Sequence, residues 1–318
     1  MSSSRNNNIN YLAVIVHLKN KIVRIRNIVI LMSILLLILL FLLLGGDYAK
    51  SDITNNSKIP HIANIKIEGV IVEDEYRSEV LEKIADNDKI KAVISYIDSP
   101  GGTIVGSEIL YNNLRKIAKK KPLVVIMNSV AASGGYMASI AADHIIAHNG
   151  TLTGSIGVIM QSPEATALAE KIGIKFHHYK SSTLKASPSL FEKPNPQVDK
   201  AINETIMDSY QFFCDLVRER RGVKIANNNE VFDGRVFTGR QALKAGLVDE
   251  IGNIDNALNY LQSKNIDARN LPKVTVKLYE EETKIIDKII KMLPIDEGTK
   301  MLINQGNKSK SGILAIHN

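Results

Sequence analysis

The chain has 318 residues, 45% of them hydrophobic and 23% charged, with a formal net charge of +7. Five of the cations (Arg5, Lys19, Lys21, Arg24, Arg26) fall within the first 27 residues, which leaves +2 for the rest and removes the case for a nucleic-acid partner. The single cysteine, Cys214, excludes an intramolecular disulfide, so any exported domain is held together by packing alone.

In chain order, the first feature is an apolar run from Ile28 to Leu44 broken only by Ser33. At the helical rise its 17 residues span about 26 Å, enough to cross most of a bilayer's hydrocarbon layer. Cations precede it and no Asp or Glu occurs before Asp47, so the charge bias puts residues 1–27 in the cytoplasm. The stretch after it, Gly45 to Asp52, offers no convincing small-x-small cleavage site, and the apolar run is long for a cleaved leader, which favours an uncleaved signal anchor over residues 28–46. The expected organisation is then a polar tether over 47–63, a main domain over 64–265 and a C-terminal extension over 266–318. This organisation predicts a single-pass protein of the cytoplasmic membrane whose bulk lies on the extracytoplasmic, periplasmic side.

From Pro60 onward, strand and helix patterns alternate. Strands are expected in Ile65–Val72, Ala92–Ile97 and Leu123–Met127, and helices around Val80–Ile84, Ile104–Ile117 and Gly135–Ala142. This order predicts an α/β fold of repeated β-α units around a largely parallel sheet, which binds ligands beyond the C-terminal strand ends. Two glycine corners fall at those ends, Asp98-Ser99-Pro100-Gly101-Gly102 and Ser133-Gly134-Gly135.

Ser133 follows a short, β-branched apolar run and precedes a helix-compatible segment, so it sits at a strand-to-helix corner. A hydroxyl there meets free backbone N–H groups and the helix dipole, both of which favour developing negative charge. The commoner use of a serine at such a corner is an N-cap. Two neighbouring glycine corners could instead form an oxyanion hole around a carbonyl attacked by Ser133.

A nucleophilic serine needs a base, and the residues leave its identity open. His61, His144, His148, His177, His178 and His317 follow the anchor, but none has an evident aspartate partner at the glycine corners. The other solution is a lysine amine kept neutral by burial, and composition does not single one out among the 40 cations.

Five ordered blocks carry a resemblance: DSPGG from Asp98, MNSVAASGGYMAS from Met127, GTLTGSIGVIM from Gly150, YKSSTLKASPS from Tyr179 and DGRVFTGRQALKAGLVDEIG from Asp233. Together they resemble the signal peptide peptidase A family of membrane-anchored serine peptidases, over about Ile65 to Leu261. The resemblance implies a crotonase/ClpP-like core and a Ser/Lys dyad acting through an acyl-enzyme, with no metal or nucleotide. By position Ser133 matches the nucleophile and Lys185 the general base, with Lys180 as the neighbouring candidate. Ser155 matches the serine that orients the lysine, and Gly102 and Gly134 match the oxyanion donors. With one copy of each motif the chain resembles the short form of the family. That form implies a homo-oligomeric ring, a dyad shared between protomers, and hydrophobic peptides such as cleaved signal peptides as substrates. The alternatives are a crotonase-like acyl-CoA enzyme, a stomatin-associated peptidase of the same superfamily and a non-catalytic membrane scaffold.

Further along, Val198 to Arg220 reads as an amphipathic helix with Cys214 buried on it, and the segment from Gly234 to Ala242 as architectural. Val274 to Tyr279 is expected to form a strand, Thr283 to Leu293 carries an apolar stripe suited to a partner helix or a membrane surface, and Gln305 to Asn318 is expected to be a tail.

Overall fold

In the computed structural model, residues 21, 24–33, 36, 59–225 and 229–279 are described. Positions 24–33 are helical. Among the described residues no helix is long and apolar enough to cross a membrane. Much of the predicted anchor, most of the tether, the apolar stripe at 283–293 and the tail at 305–318 lie outside the described residues.

The main unit follows the expected α/β order. Its strands and helices run β1 (His61–Ile71), α1 (Glu75–Asp86), β2 (Ile90–Gly102), α2 (Ile104–Ala118), β3 (Leu123–Ala132), α3 (Gly134–Ser139), β4 (His144–Ala147) and β5 (Leu152–Gly154). Then come α4 (Thr166–Lys171), α5 (Pro196–Arg221), β6 (Val236–Thr238), α6 (Gly239–Lys244), β7 (Glu250–Ile251), α7 (Ile254–Ser263) and β8 (Lys273–Val276). The strands form one sheet in the order β6-β5-β3-β2-β1-β8, with β4 joined to β3 and β7. All pairs are parallel except β5 with β6.

The central strands are buried on both faces, which is why they read as continuous apolar runs. On one face Ile62, Ile94, Val124, Ile126 and Ile146 pack against Ala257, Leu258 and Leu261 of α7. Residues alternate across a strand, so Val93, Ile97, Val125 and Met127 turn to the other face, where α2 and α3 lie. Local chemistry sets the helix starts: Asp74 accepts from Arg77 N at 2.8 Å, Thr103 accepts from Gly106 N at 3.0 Å, and Asn195 caps α5 just before Pro196.

Three boundaries differ from the sequence expectation. The strand expected to stop at Met127 runs on to Ala132, because β3 changes partner. Val124–Met127 pair with β4 and Val130–Ala132 pair with β5, so Asn128 and Ser129 span the change instead of ending the strand. Likewise β2 continues through Pro100 to Gly102, since Val70 and Ile71 pair with Gly101 and Gly102 after a register shift. The sheet also takes in chain outside 64–265: β1 starts at His61, and β8 pairs with it through Ile62 and Lys273.

Candidate active site

The two glycine corners meet at the C-terminal ends of β2 and β3. Ser133 has φ 52° and ψ −121°, a conformation costly for a residue with a side chain. Its backbone is held from both sides: the N–H donates to Gly154 O at 2.9 Å, and its carbonyl accepts from Met137 N at 2.9 Å. Behind it the fully buried Tyr136 donates its hydroxyl to Leu247 O at 3.0 Å, fixing α3, and burial pushes that phenol's pKa up.

The Pro-Gly-Gly corner is fastened to the same place. Val130 N donates to Asp98 Oδ1 at 3.0 Å, and Gly101 N donates to Ser99 Oγ at 3.1 Å. Glycine is required here by proximity. A Cβ on Gly102 would lie 1.7 Å from Ile71 O, and one on Gly101, at φ 112°, would lie 2.9 Å from both Gly134 N and Ser133 Cβ. Gly134 opens α3, so its N–H has no acceptor four residues back within that helix.

Two openings adjoin Ser133. One is a crevice of about 20 Å³ lined by Ser133, Gly102, Gly134 and Ser107. The other is a cleft of about 750 Å³ lined by Ser133, Ser155 and Gly102, with Ile104, Val158, Ile159, Ile206 and Met207 as apolar wall. Tyr210 also borders it, donating to Phe232 O at 2.5 Å; burial and the Cys214 thiol beside it push the phenol up to about 12.

Of the five residues singled out from the sequence, Ser133, Ser155, Gly102 and Gly134 are brought together and Lys185 is not. Ser155, at φ 51°, follows Gly154 directly, and its N–H donates to Arg235 O at 2.8 Å. Lys185 is exposed in a turn between α4 and α5, where its N–H donates to Ser182 O at 3.2 Å, and it lines neither opening. Lys180 lies elsewhere too: it lines a separate cavity of about 940 Å³, and its ammonium donates to Glu192 at 2.5 Å and to Ser187 Oγ at 2.9 Å. That ammonium holds the Glu192 carboxyl below its ordinary pKa.

Among the described residues no histidine lines the two openings at Ser133. His144 stacks on Tyr260 and its Nε2 lies 3.1 Å from Glu250, while His178 sits 3.5 Å from Glu192. The apolar wall and Ser107 were not foreseen from the sequence. Ser107 carried one weak signal, its place four residues after a capping threonine, which puts it one turn into α2.

A serine held in a strained strand-to-helix corner faces a second glycine corner at the mouth of an apolar cleft, an arrangement that suits the class its relatives define, the serine-type peptidases. Residues 115–266 match the family model described as Peptidase family S49. The protein slr0021 of Synechocystis sp. is 37% identical over 198 residues, which cover 62% of this chain and 71% of that one. The chloroplastic serine protease SPPA of Arabidopsis thaliana is 32% identical over 210 residues, covering 66% of this chain and 31% of that longer protein. ClpP1 from Listeria monocytogenes superposes with a TM-score of 0.40 at 16% identity, covering 61% of this chain and 93% of that one. The chain belongs to peptidase family S49.

Proposed function

We propose that the chain is a membrane-tethered endopeptidase in which Ser133 attacks a peptide carbonyl and Lys185 of a second copy serves as general base. The observation that carries this reading is the convergence of Ser133, Gly102 and Gly134 around one small crevice beside an apolar cleft. In the first step the Ser133 Oγ–carbon bond forms while its proton passes to the lysine amine, and the Gly102 and Gly134 N–H groups hold the oxyanion. The ammonium then protonates the leaving amine, and water, deprotonated by the same lysine, hydrolyses the acyl-enzyme. Ser155, on the cleft wall with Ser133, orients the incoming amine.

The need for a second copy is supported by the segment that carries Lys185. Between β5 and α5 large apolar side chains stand in solvent: Ile159 is 82% and Tyr179 96% exposed, joined by Met160, Leu168, Ile172 and Leu184. This many large apolar side chains left in solvent along one segment is what a surface covered by a partner would leave exposed in the lone chain. Lys180, engaged with Glu192, is a poorer base. The apolar run from Ile28 to Leu44 supports the tether, and Val158, Ile159 and Met207 on the cleft wall favour apolar substrate side chains, as in signal peptides and other membrane peptides.

The test is labelling of the intact chain with a fluorescent fluorophosphonate. Wild type is expected to label, and Ser133→Ala and Lys185→Ala are not. Labelling retained in Ser133→Ala removes the nucleophile assignment; labelling retained in Lys185→Ala removes the base.

A further inference from the structure

We infer that Ser107 is a third donor to the oxyanion, completing with its hydroxyl the hole that the two glycine corners begin. This inference rests on Ser133 being the nucleophile. Ser107 is 1% exposed, and its Oγ is buried without a hydrogen-bond partner. Helical serines ordinarily avoid that state by donating to the carbonyl one turn back. Ser78 does so to Asp74 O at 2.9 Å and Ser139 to Gly135 O at 2.7 Å. The backbone of Ser107 makes that bond, N–H to Thr103 O at 3.0 Å, but its hydroxyl does not.

The hydroxyl turns instead toward α3. A Cβ on Gly134 would lie 2.1 Å from Ser107 Oγ and 3.3 Å from Gly102 N, so the space beside Gly134 is bounded by that hydroxyl and that amide. The crevice that Ser107 shares with Ser133 is about 20 Å³, room for one water-sized group. A buried hydroxyl without a partner is disfavoured, and native proteins keep few of them. A carbonyl oxygen entering the crevice supplies the missing acceptor, most strongly when it carries charge.

As the Ser133 Oγ–carbon bond forms, the carbonyl π pair moves onto oxygen and the Ser133 proton goes to the base. Ser107 donates a hydrogen bond to that oxygen and keeps its own proton. When the oxygen pair returns to carbon, the C–N bond breaks and the amine leaves with the proton the base had taken. The interaction grows with charge, so Ser107 acts on kcat and leaves substrate binding alone.

The experiment compares full-length wild type with Ser107→Ala and Ser107→Cys, using a fluorogenic apolar peptide, a peptide boronate and thermal unfolding. Ser107→Ala is expected to lose about 100-fold in kcat at unchanged KM and to bind the boronate about 100-fold more weakly. Its Tm should be unchanged or higher, since the substitution removes an unpartnered buried hydroxyl. Ser107→Cys, a weak donor of similar size, should fall between the two. Unchanged kcat and boronate affinity in Ser107→Ala overturn the inference, as does a loss of kcat that only follows a lowered Tm. Labelling of Ser133→Ala by fluorophosphonate, or none of wild type, sinks the nucleophile reading and this inference with it. A labelled wild type with an equally active Ser107→Ala sinks this inference alone.

Discussion

Gly101 and Ser133 meet so closely that a Cβ on the glycine would lie 2.9 Å from the Cβ of the serine. At φ 112° Gly101 also occupies backbone space that other residues rarely adopt. Gly101→Ala is therefore expected to destabilise the protein by about 1–3 kcal/mol. It should also slow fluorophosphonate labelling of Ser133 about 100-fold, because displacing a reacting atom by about an ångström costs that much. Labelling rate and thermal unfolding, measured together, check it; wild-type labelling in Gly101→Ala would mean the corner yields without moving the serine.

Lys185 is exposed and lines neither opening beside Ser133. If the lysine comes from a neighbour, Ser133→Ala and Lys185→Ala chains should each be inactive and regain activity when co-assembled. An equimolar, randomly mixed ring carries both groups at about a quarter of its sites, so about that fraction of wild-type activity is expected. Lys180→Ala should keep most of the wild-type labelling. Proven co-assembly without recovery would assign both groups to one chain.

Tyr179 and Ile159 are the most exposed large apolar residues between β5 and α5. Tyr179→Asp and Ile159→Asp should weaken self-association, seen as smaller species in sedimentation velocity. Tm measured on the dilute protomer should change little, since surface substitutions away from packed features typically cost under about 0.5 kcal/mol. Full association with both aspartates in place would remove this surface from the assembly.

The Arg221 and Asp249 side chains, 4% and 8% exposed, pair at 2.8 Å and tie α5 to the loop before β7. Burial pushes the Asp249 carboxyl up, but Arg221, Lys224 and the Ile145 N–H outweigh it and hold the pKa below the ordinary aspartate value. A carboxyl depressed in the folded state adds stability that is whole above its unfolded value of about 3.9 and drains as pH falls through the lower folded one. Asp249→Asn should cost about 3 kcal/mol at neutral pH, moderated because Gly246 O still accepts two Arg221 N–H groups. The deficit should shrink below about pH 4. Unfolding by denaturant at pH 7 and pH 3 checks both parts, and a deficit that is the same at both pH values would count against the pairing.

The α/β order was legible because buried parallel strands and amphipathic helices write different periods, and Ser133 stood out where an apolar run gave way to two glycines. The strand ends were hidden because polar residues do not always end a strand. Asn128 and Ser129 look like a terminus, yet they bridge the change from β4 to β5, a pairing set by residues twenty or more positions away. The membership of β8 was hidden for the same reason, its partner lying at the start of the domain. Lys185 could be singled out only by resemblance, since nothing local distinguishes it from its exposed neighbours. Ser107 offered only its place one turn after the Thr103 cap: its meaning lies in a bond it does not make.

Ser133 and Ser155 hang from one ladder. Ser133 N–H is tied to Gly154 O, and Ser155 N–H to Arg235 O, just before β6 at the rim of the sheet. The Ser133 corner is thus mechanically continuous with an edge strand of three residues, Val236–Thr238. Whatever tugs at that rim, be it a neighbouring subunit or a substrate segment lying along it, pulls on the backbone of both serines. A fraying of that edge strand would therefore loosen the backbone that holds both serines, with no change needed elsewhere in the sheet.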